Sequence, residues 1–360
     1  SRSFIYKDPY GVCLNISPWN YPLLLSLSPA LGALAAGNTM ILKPSEFSPH
    51  TSEMLREMIS ETFDERYFTV VTGDAETSQV LLKQPFDYIF FTGSTQVGKI
   101  IMREAAEHLT PVTLELGGKS PAIVDETADL DVAAKRLTWA KFVNAGQTCV
   151  APDFIYVNQE VKEDLLERMK NHITEMYGED PSETEDYPRI INQRHFDRLN
   201  KLITQKKVVA GGICDPDERY ISPTILDRIT WDDAVMEDEI FGPILPVLEY
   251  DNMEEVLRLL ERKAKPLAFY IFTSDKRTEQ EVLERMSFGG GAVNDAIIHL
   301  GNHNLPFGGV GNSGMGAYHG KHSFDTFSHR KSIVKSRTFI DPPLRYPPYN
   351  DKPGWIRRFF

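Results

Sequence analysis

The chain is poor in the features that mark disulfide-stapled, nucleic-acid-binding and membrane-spanning proteins. Its 360 residues include only three cysteines, Cys13, Cys149 and Cys214, and this odd, widely spaced set argues against a disulfide framework and for a reducing compartment. With 39 basic against 51 acidic residues, the net charge of -12 and the lack of a basic stripe oppose nucleic-acid binding. The one stretch of near-membrane length, residues 22–42, is interrupted by proline and glycine and predicts a buried helix, a turn and a strand.

What the sequence does contain is a regular alternation of two patterns. Apolar, β-branched runs bounded by turn residues alternate with segments of helical period, which predicts βαβ units and a parallel sheet in the first third. Ligands of such α/β domains bind beyond the carboxyl ends of the strands. A second alternation then begins, with predicted helices at residues 130–144 and 194–207, a loop at 299–318 and an edge strand within 324–337 that is a candidate for intersubunit pairing.

The segment IFFTGSTQVGK nearly matches a phosphate-binding P-loop. Gly93 is followed by four residues and then by Gly98-Lys99, but Ile100 stands where a Ser or Thr must bind magnesium. The mismatch disfavours a nucleotide hydrolase. A strand that ends in Thr-Gly-Ser and opens a helix suits a pyrophosphate, although the glycines could equally serve a tight turn. The G-x-G-x-x-G fingerprint is absent.

Two residues have candidate chemistry that their local sequence leaves undecided. Glu115 alternates with apolar residues on a predicted strand, where it is either a solvated or salt-bridged carboxylate or, if it lies in an apolar cleft, a base of raised pKa. Cys149 follows a predicted helix on a loop, where it is either apolar filler or an accessible nucleophile. The histidines 299, 303, 319, 322 and 329 lack metal-site spacing, so we expect no metal.

Seven motifs in chain order resemble the aldehyde dehydrogenase superfamily: PWNYP, ILKPSE, FFTGSTQVG, VTLELGGKSP, GQTCVAP, EIFGPILPV and LPFGGVGNSG. The match runs from about Gly11 to Ser336, and the segments NDAIIHLGNHNLPFGGVGNSGMGAYHGKHSFDTFSHRKS and LRYPPY are similar to the class 3 branch, which includes fatty aldehyde dehydrogenases. The resemblance implies an α/β fold with a Rossmann-like cofactor domain, a second α/β catalytic domain, a return segment with an oligomerisation strand and a proline-rich tail, at residues 1–118, 119–311, 312–337 and 338–360.

The resemblance also implies a role for each matching residue. Cys149 corresponds to the nucleophile, Glu115 to the base that activates the deacylating water, and Asn20 to the donor that holds the oxyanion with the Cys149 N–H. Glu46 would bind ribose hydroxyls and repel a 2'-phosphate, which favours NAD while leaving NADP open. The full set of implied cofactor contacts is Trp19, Lys43, Glu46, Gly93, Ser94, Thr95, Val97, Gly98, Glu239 and Phe241.

The implied function is NAD(P)-dependent oxidation of medium-chain, long-chain or aromatic aldehydes to carboxylic acids by a homodimer. Family members usually have an N-terminal segment ahead of Ser1, so we expect a shortened cofactor domain, and the competing hypothesis is a truncated, non-catalytic relic or dimerisation partner. We expect a cytoplasmic location, with membrane association in any form that extends past Phe360 into an anchor.

Overall fold

The computed structural model describes residues 2–341, 345–348 and 354. In chain order the strands are β1 (Arg2–Pro9), β2 (Val12–Ile16), β3 (Thr39–Lys43), β4 (Phe68–Val70), β5 (Tyr88–Thr92), β6 (Val112–Glu115), β7 (Pro121–Val124), β8 (Phe154–Asn158), β9 (Val208–Ala210), β10 (Cys214–Asp215), β11 (Tyr220–Ile221), β12 (Thr224–Leu226), β13 (Ile244–Tyr250), β14 (Ala268–Phe272), β15 (Gly290–Val293), β16 (Gly314–Met315) and β17 (Ser328–Lys335).

The helices alternate with these strands, which confirms the predicted α/β class. They are α1 (Pro22–Ala35), α2 (Pro49–Thr62), α3 (Ala75–Leu82), α4 (Thr95–Glu107), α5 (Leu130–Phe142), α6 (Lys162–Tyr177), α7 (Gln193–Asn200), α8 (Met253–Glu261), α9 (Lys276–Arg285) and α10 (Gly320–Thr326). Asp and Asn side chains at residues 74, 129, 192, 252 and 275 cap five of the helix N-termini by accepting first-turn N–H groups.

The first sheet has the strand order β16-β6-β5-β2-β3-β4, and all its strands are parallel except β16. The chain runs from β2 outward to β4 on one side and returns through β5 and β6 on the other. The strand order therefore reverses between β2 and β5, and this reversal opens a crevice beyond their carboxyl ends. β6 ends at Glu115, beside the same crevice.

The second sheet has the order β15-β14-β7-β8-β13-β12-β9, with only β9 antiparallel. Strands β7, β8 and β14 of this sheet are buried along their length, as expected for a parallel sheet covered on both faces. Helix α5 leads from this sheet to Cys149. It stops at Phe142 rather than at Asn144, because Asn144 and Ala145 have left-handed backbone angles (φ 53 and 50) that cannot continue an α-helix.

Two further predictions of local structure are wrong in extent. The helix predicted over residues 194–207 ends at Asn200, because the chain then turns to pack Leu202 and Ile203 against the core. The strand predicted within 324–337 is helix α10 followed by β17, since α10 packs on α1. A Cβ at Gly32 in α1 would lie 2.6 Å from the Ser323 Cβ, so this contact depends on glycine. Within the chain, β17 pairs with β1 in a two-stranded sheet.

The apolar stretch at residues 22–42 forms α1, a turn at Gly37 (φ 90) and β3, as predicted. Among the described residues, no helix combines the length and apolarity that crossing a membrane requires. The proline-rich tail expected at residues 338–360, including most of LRYPPY, lies largely outside the described residues.

Candidate active site

A cavity of about 900 Å³ opens where the carboxyl ends of the first sheet face the second domain. Predicted catalytic and predicted cofactor-binding residues share its wall: Trp19, Asn20, Gly93, Ser94, Thr95, Val97, Glu115, Cys149, Glu239 and Phe241. Lys43, Glu46 and Gly98 do not line it. The predicted catalytic set therefore comes together in space, although Glu115 and Cys149 belong to different sheets.

The first turn of α4 lies on the cavity wall. The Ser94 Oγ accepts the Val97 N–H at 3.4 Å, and Gln96 also borders the cavity, so a helix N-terminus faces open space that an anion could occupy. Gly98 serves packing instead, because a Cβ there would lie 2.7 Å from the Leu116 Cδ2. Ile100 is exposed on α4, so the P-loop hypothesis finds no hydroxyl ligand at this position.

Lys43 and Glu46 form a pair at the end of β3. The Lys43 side chain is buried, and its Nζ donates to the Glu46 Oε2 at 3.0 Å. The Glu46 side chain is about one-third exposed. The lysine thus holds an accessible carboxylate in place, and such a carboxylate can accept hydrogen bonds from a ribose diol.

Asn20 is held directly beside the nucleophile loop, defined here as residues 144–149. The Asn20 Nδ2 donates to the Gln147 carbonyl at 3.0 Å, while the Asn144 Nδ2 donates to the Asn20 carbonyl at 3.0 Å. The Tyr21 and Thr148 hydroxyls are hydrogen-bonded at 2.7 Å. Because a carboxamide nitrogen has two N–H groups, the Asn20 amide is oriented by one and can donate the other.

Glu115 is a buried carboxyl group without a partner. It is 2% exposed, and neither of its oxygens has a hydrogen bond within the described part of the chain. Burial raises its pKa well above the usual range. The hypothesis of a solvated strand glutamate is wrong, and the environment is the one that suits a general base working near neutral pH.

Cys149 borders the cavity but is half-buried. Its thiol is therefore less accessible than its predicted position on a loop suggests. Burial, and then the carboxyl groups of Glu239 and Glu115, raise the pKa of its thiol to about 12, while the N–H groups of Cys149 and Val150 lower it. These surroundings favour the neutral thiol over the thiolate.

The Glu239 carboxyl group packs against Gly117, and both residues line the cavity with Cys149. A Cβ at Gly117 would lie 2.2 Å from the Glu239 Oε2, so only glycine leaves room for this carboxyl group. Burial raises the Glu239 pKa to about 8, and Asp153 adds to the rise. Phe241, two residues on, has a left-handed backbone (φ 49), and its ring meets the Trp19 ring edge-on at 5.5 Å.

Several polar residues of the site were not predicted from the sequence. They are Tyr21, Lys119, Gln147, Asp153, His195 and Arg198. Lys119 ends the ELGGK motif, which is a sequence signal, but the charges of α7 look like an ordinary solvated helix face. His299, Phe307 and His319 stack as packing residues, and no metal-holding group of His, Cys, Asp or Glu occurs among the described residues.

The fold is α/β with two large, mostly parallel sheets, and its cleft brings together a thiol, a buried carboxyl group and a carboxamide. The model of the Aldehyde dehydrogenase family matches residues 1–333, and the chain belongs to this family. Aldehyde dehydrogenases oxidise aldehydes with NAD(P), so the predicted enzyme class and cofactor class are confirmed at the level of the family.

The similar proteins agree with the class 3 resemblance. The chain is 50% identical to the 4,4'-diaponeurosporen-aldehyde dehydrogenase of Staphylococcus aureus, over 100% of this chain and 79% of that protein. It is 49% identical to the dimeric NADP-preferring aldehyde dehydrogenase of Rattus norvegicus, over 96% and 77%, and 46% identical to rat aldehyde dehydrogenase family 3 member A2, over 99% and 75%. The substrate-bound structure of Staphylococcus aureus AldH superposes with a TM-score of 0.97 at 50% identity, over 99% and 79%.

Proposed function

We propose that this chain oxidises apolar aldehydes to carboxylic acids with NAD(P), through a thioester on Cys149. The observation that carries the proposal is that Cys149, Glu115 and Asn20 border the same cavity. Three groups that acyl chemistry needs, a nucleophile, a base and an oxyanion donor, are thus within one cleft. This arrangement disfavours a non-catalytic relic.

In the proposed reaction the Cys149 thiol gives its proton to solvent water, and its sulfur attacks the aldehyde carbon. The carbonyl electron pair moves to oxygen, where the free N–H of the Asn20 amide and the Cys149 N–H would stabilise the charge of the thiohemiacetal. Bound NAD(P)+ would supply the hydride acceptor that lets this adduct become a thioester. Glu115 then removes a proton from water, which attacks the thioester, breaks the C–S bond and frees the acid.

The residues present fit a dinucleotide. The N-terminus of α4, bordered by Gly93, Ser94 and Thr95, would hold the pyrophosphate, and the Lys43–Glu46 pair would hold the adenine ribose. Glu239 and Phe241 would flank the nicotinamide end. Glu46 favours NAD, but its charge is offset by Lys43, and a relative is named NADP-preferring, so we propose NAD with NADP as a second cofactor.

Elements near the nucleophile loop expose apolar side chains that do not line the cavity. Leu24 on α1, Trp139 on α5 and Ile298 after β15 are 55%, 45% and 60% exposed. Helix α1 begins at Pro22, directly after Tyr21, which hydrogen-bonds Thr148, and α5 leads into the loop itself. The Staphylococcus aureus relative is named as a 4,4'-diaponeurosporen-aldehyde dehydrogenase. We propose a long-chain or aromatic aldehyde here.

We assign residues 1–118 to cofactor binding, 119–311 to catalysis and 312–337 to the return segment and homodimer assembly. Ile5, Tyr6 and Val334 are exposed on the β1–β17 sheet, and the rat relative is named dimeric. Exposed apolar side chains on a two-stranded sheet indicate a surface that a second subunit covers. A cytoplasmic location, and membrane association through an extension past Phe360, stay predictions.

The test is to mix the protein with NAD or NADP and a panel of aldehydes of increasing chain length, and to follow NAD(P)H absorbance. We expect turnover that Cys149→Ala abolishes and that Cys214→Ala, a matched change at a half-buried thiol away from the cavity, leaves intact. Activity that survives Cys149→Ala would rule out the proposed mechanism.

A further inference from the structure

We propose that Arg198 is a positioning residue that fixes the loop from Glu239 to Gly242, here named the 239–242 loop, for the nicotinamide end of the cofactor. The inference rests on the proposed function, since it concerns the same cleft. Arg198 lies on α7, lines the cavity and is half-buried. No sequence motif includes it, and its side chain contacts main-chain atoms of the loop.

Two charged side chains form hydrogen bonds with Ile240 of this loop, one with its backbone N–H and one with its backbone carbonyl. Its N–H donates to the Asp153 Oδ1 at 2.9 Å, and its carbonyl accepts from the Arg198 Nη2 at 2.6 Å. The Arg198 Nη1 approaches the preceding carbonyl, that of Glu239, at 3.5 Å. Hydrogen bonds to ionised groups are about twice as strong as neutral ones, so this is a firm attachment for an irregular loop.

Asp153 is itself fixed. It is buried, and its Oδ2 is 2.6 Å from the Lys119 Nζ. The same ammonium group donates to the carbonyls of Val235 and Asp238 at 3.0 and 2.9 Å. The chain that leads into the loop is therefore held from one side by Lys119 and Asp153. Arg198 supplies the attachment from the other side.

The Arg198 contacts restrain a part of the loop whose backbone is strained. Phe241 adopts a left-handed backbone, which is unfavourable for a bulky residue and persists only where its surroundings enforce it. Its ring packs on Trp19, whose other neighbour is His195, one turn before Arg198 on the same helix. Without the Arg198 contacts, we expect the Phe241 backbone to relax and its ring to leave Trp19.

The loop also supports the nucleophile. A Cβ at Gly146 would lie 2.3 Å from the Gly242 carbonyl oxygen, so the nucleophile loop and the 239–242 loop meet backbone to backbone. A Cβ at Gly242 would in turn lie 2.4 Å from the Leu199 Cδ2, next to Arg198. A shift of one loop therefore displaces the other. The position of Glu239 relative to Cys149 depends on the helix that carries Arg198.

The test compares Arg198→Met with Arg194→Met, a matched change on the same helix and cavity wall at an exposed arginine. NAD+ affinity is measured by titration calorimetry, and KM and kcat by NADH absorbance. Arg198→Met should weaken NAD+ binding about tenfold, the effect of one charge-assisted hydrogen bond, and raise the KM for NAD+ in parallel. The KM for aldehyde and the melting temperature should change little, and Arg194→Met should resemble the wild type.

A cofactor-free measurement separates positioning from direct contact. Acrylamide quenching of Trp19, obtained by subtracting the matching Trp19→Phe protein, should increase in Arg198→Met and not in Arg194→Met. Weaker NAD+ binding with unchanged Trp19 quenching would overturn the proposal, as would wild-type affinity. If Arg198→Met does not fold, the test uses Arg198→Lys, which keeps the positive charge but lacks the planar fork of the guanidinium group. This variant must show smaller changes in the same direction, and wild-type values would overturn the proposal. A wild-type protein that neither binds NAD+ nor oxidises aldehydes refutes the proposed function instead.

Discussion

The thiol of Cys149 should be unreactive in the cofactor-free chain, and its reactivity should climb steeply with pH. Burial and two nearby carboxyl groups raise its pKa to about 12, against the ordinary value of 9.0. Because only the thiolate reacts with alkylating agents, the reactive fraction near pH 8 is about a thousandfold smaller than for an ordinary cysteine. Half-burial of the residue reduces access further.

The assay is alkylation by iodoacetamide, followed by mass spectrometry of the peptide that contains Cys149, with Cys214 in the same sample as a reference. The rate should rise about tenfold per pH unit from pH 8 to pH 11 without a plateau. Glu239→Gln and Glu115→Gln should each increase the rate at fixed pH, since each removes a carboxyl group that raises the thiol pKa. Glu237→Gln, an exposed change on the same cavity wall, is the control.

A plateau in the alkylation rate near pH 8 would refute this reasoning, because it would show a thiolate already formed in the resting chain. So would equal rates in wild type, Glu239→Gln and Glu115→Gln, because the carboxyl groups would then have no electrostatic effect on the thiol. Faster alkylation in Glu237→Gln to the same degree would show a non-specific change of charge in the cavity.

Three further predictions concern the carboxyl groups of the site. Glu115→Gln should release one NADH per site in a stopped-flow burst and then turn over about 10² to 10⁴-fold more slowly, since the thioester lacks its base; an absent burst would contradict the assignment. The Glu239 pKa is raised to about 8 in the folded chain, so Glu239 reduces stability as the pH rises from about 4.5 to 8. The Glu239→Gln protein should have a higher melting temperature than the wild type at pH 8 and the same melting temperature near pH 4. Glu46→Gln should shift the kcat/KM ratio toward NADP about tenfold, measured with both cofactors, and an unchanged ratio would remove Glu46 from the ribose site.

The sequence was a good guide where residues lie next to regular elements. Glu115 ends a strand and Gly93 opens the turn before α4, so parallel pairing brings them to one edge, as their patterns indicate. Cys149 could be placed there only through the family resemblance, because it arrives from another sheet. Helix ends were less accurate: α5 ends at Phe142 because Asn144 and Ala145 are left-handed, and alanine ordinarily favours a continuing helix.

The contacts that shape the site could not be predicted from the sequence, for a physical reason. Arg198 and Asp153 act on backbone atoms of the 239–242 loop, and a contact with a backbone atom leaves no complementary residue type for a pattern to show. The direction of the Cys149 pKa was likewise hidden, since it depends on burial and on the approach of Glu239 rather than on neighbours in the chain.

The glycines of the ELGGK motif explain why two carboxyl groups can share this site. Gly117 leaves the space that the Glu239 carboxyl group occupies, and Gly118, at φ 147, turns the chain so that its N–H can bond to that group. Glu115, Glu239 and Cys149 consequently line one cleft. The burial that raises the thiol pKa also raises the pKa of Glu115, and a carboxylate of raised pKa is the stronger base. The burial that favours the neutral thiol therefore also supports the proposed role of Glu115 as the base that activates water.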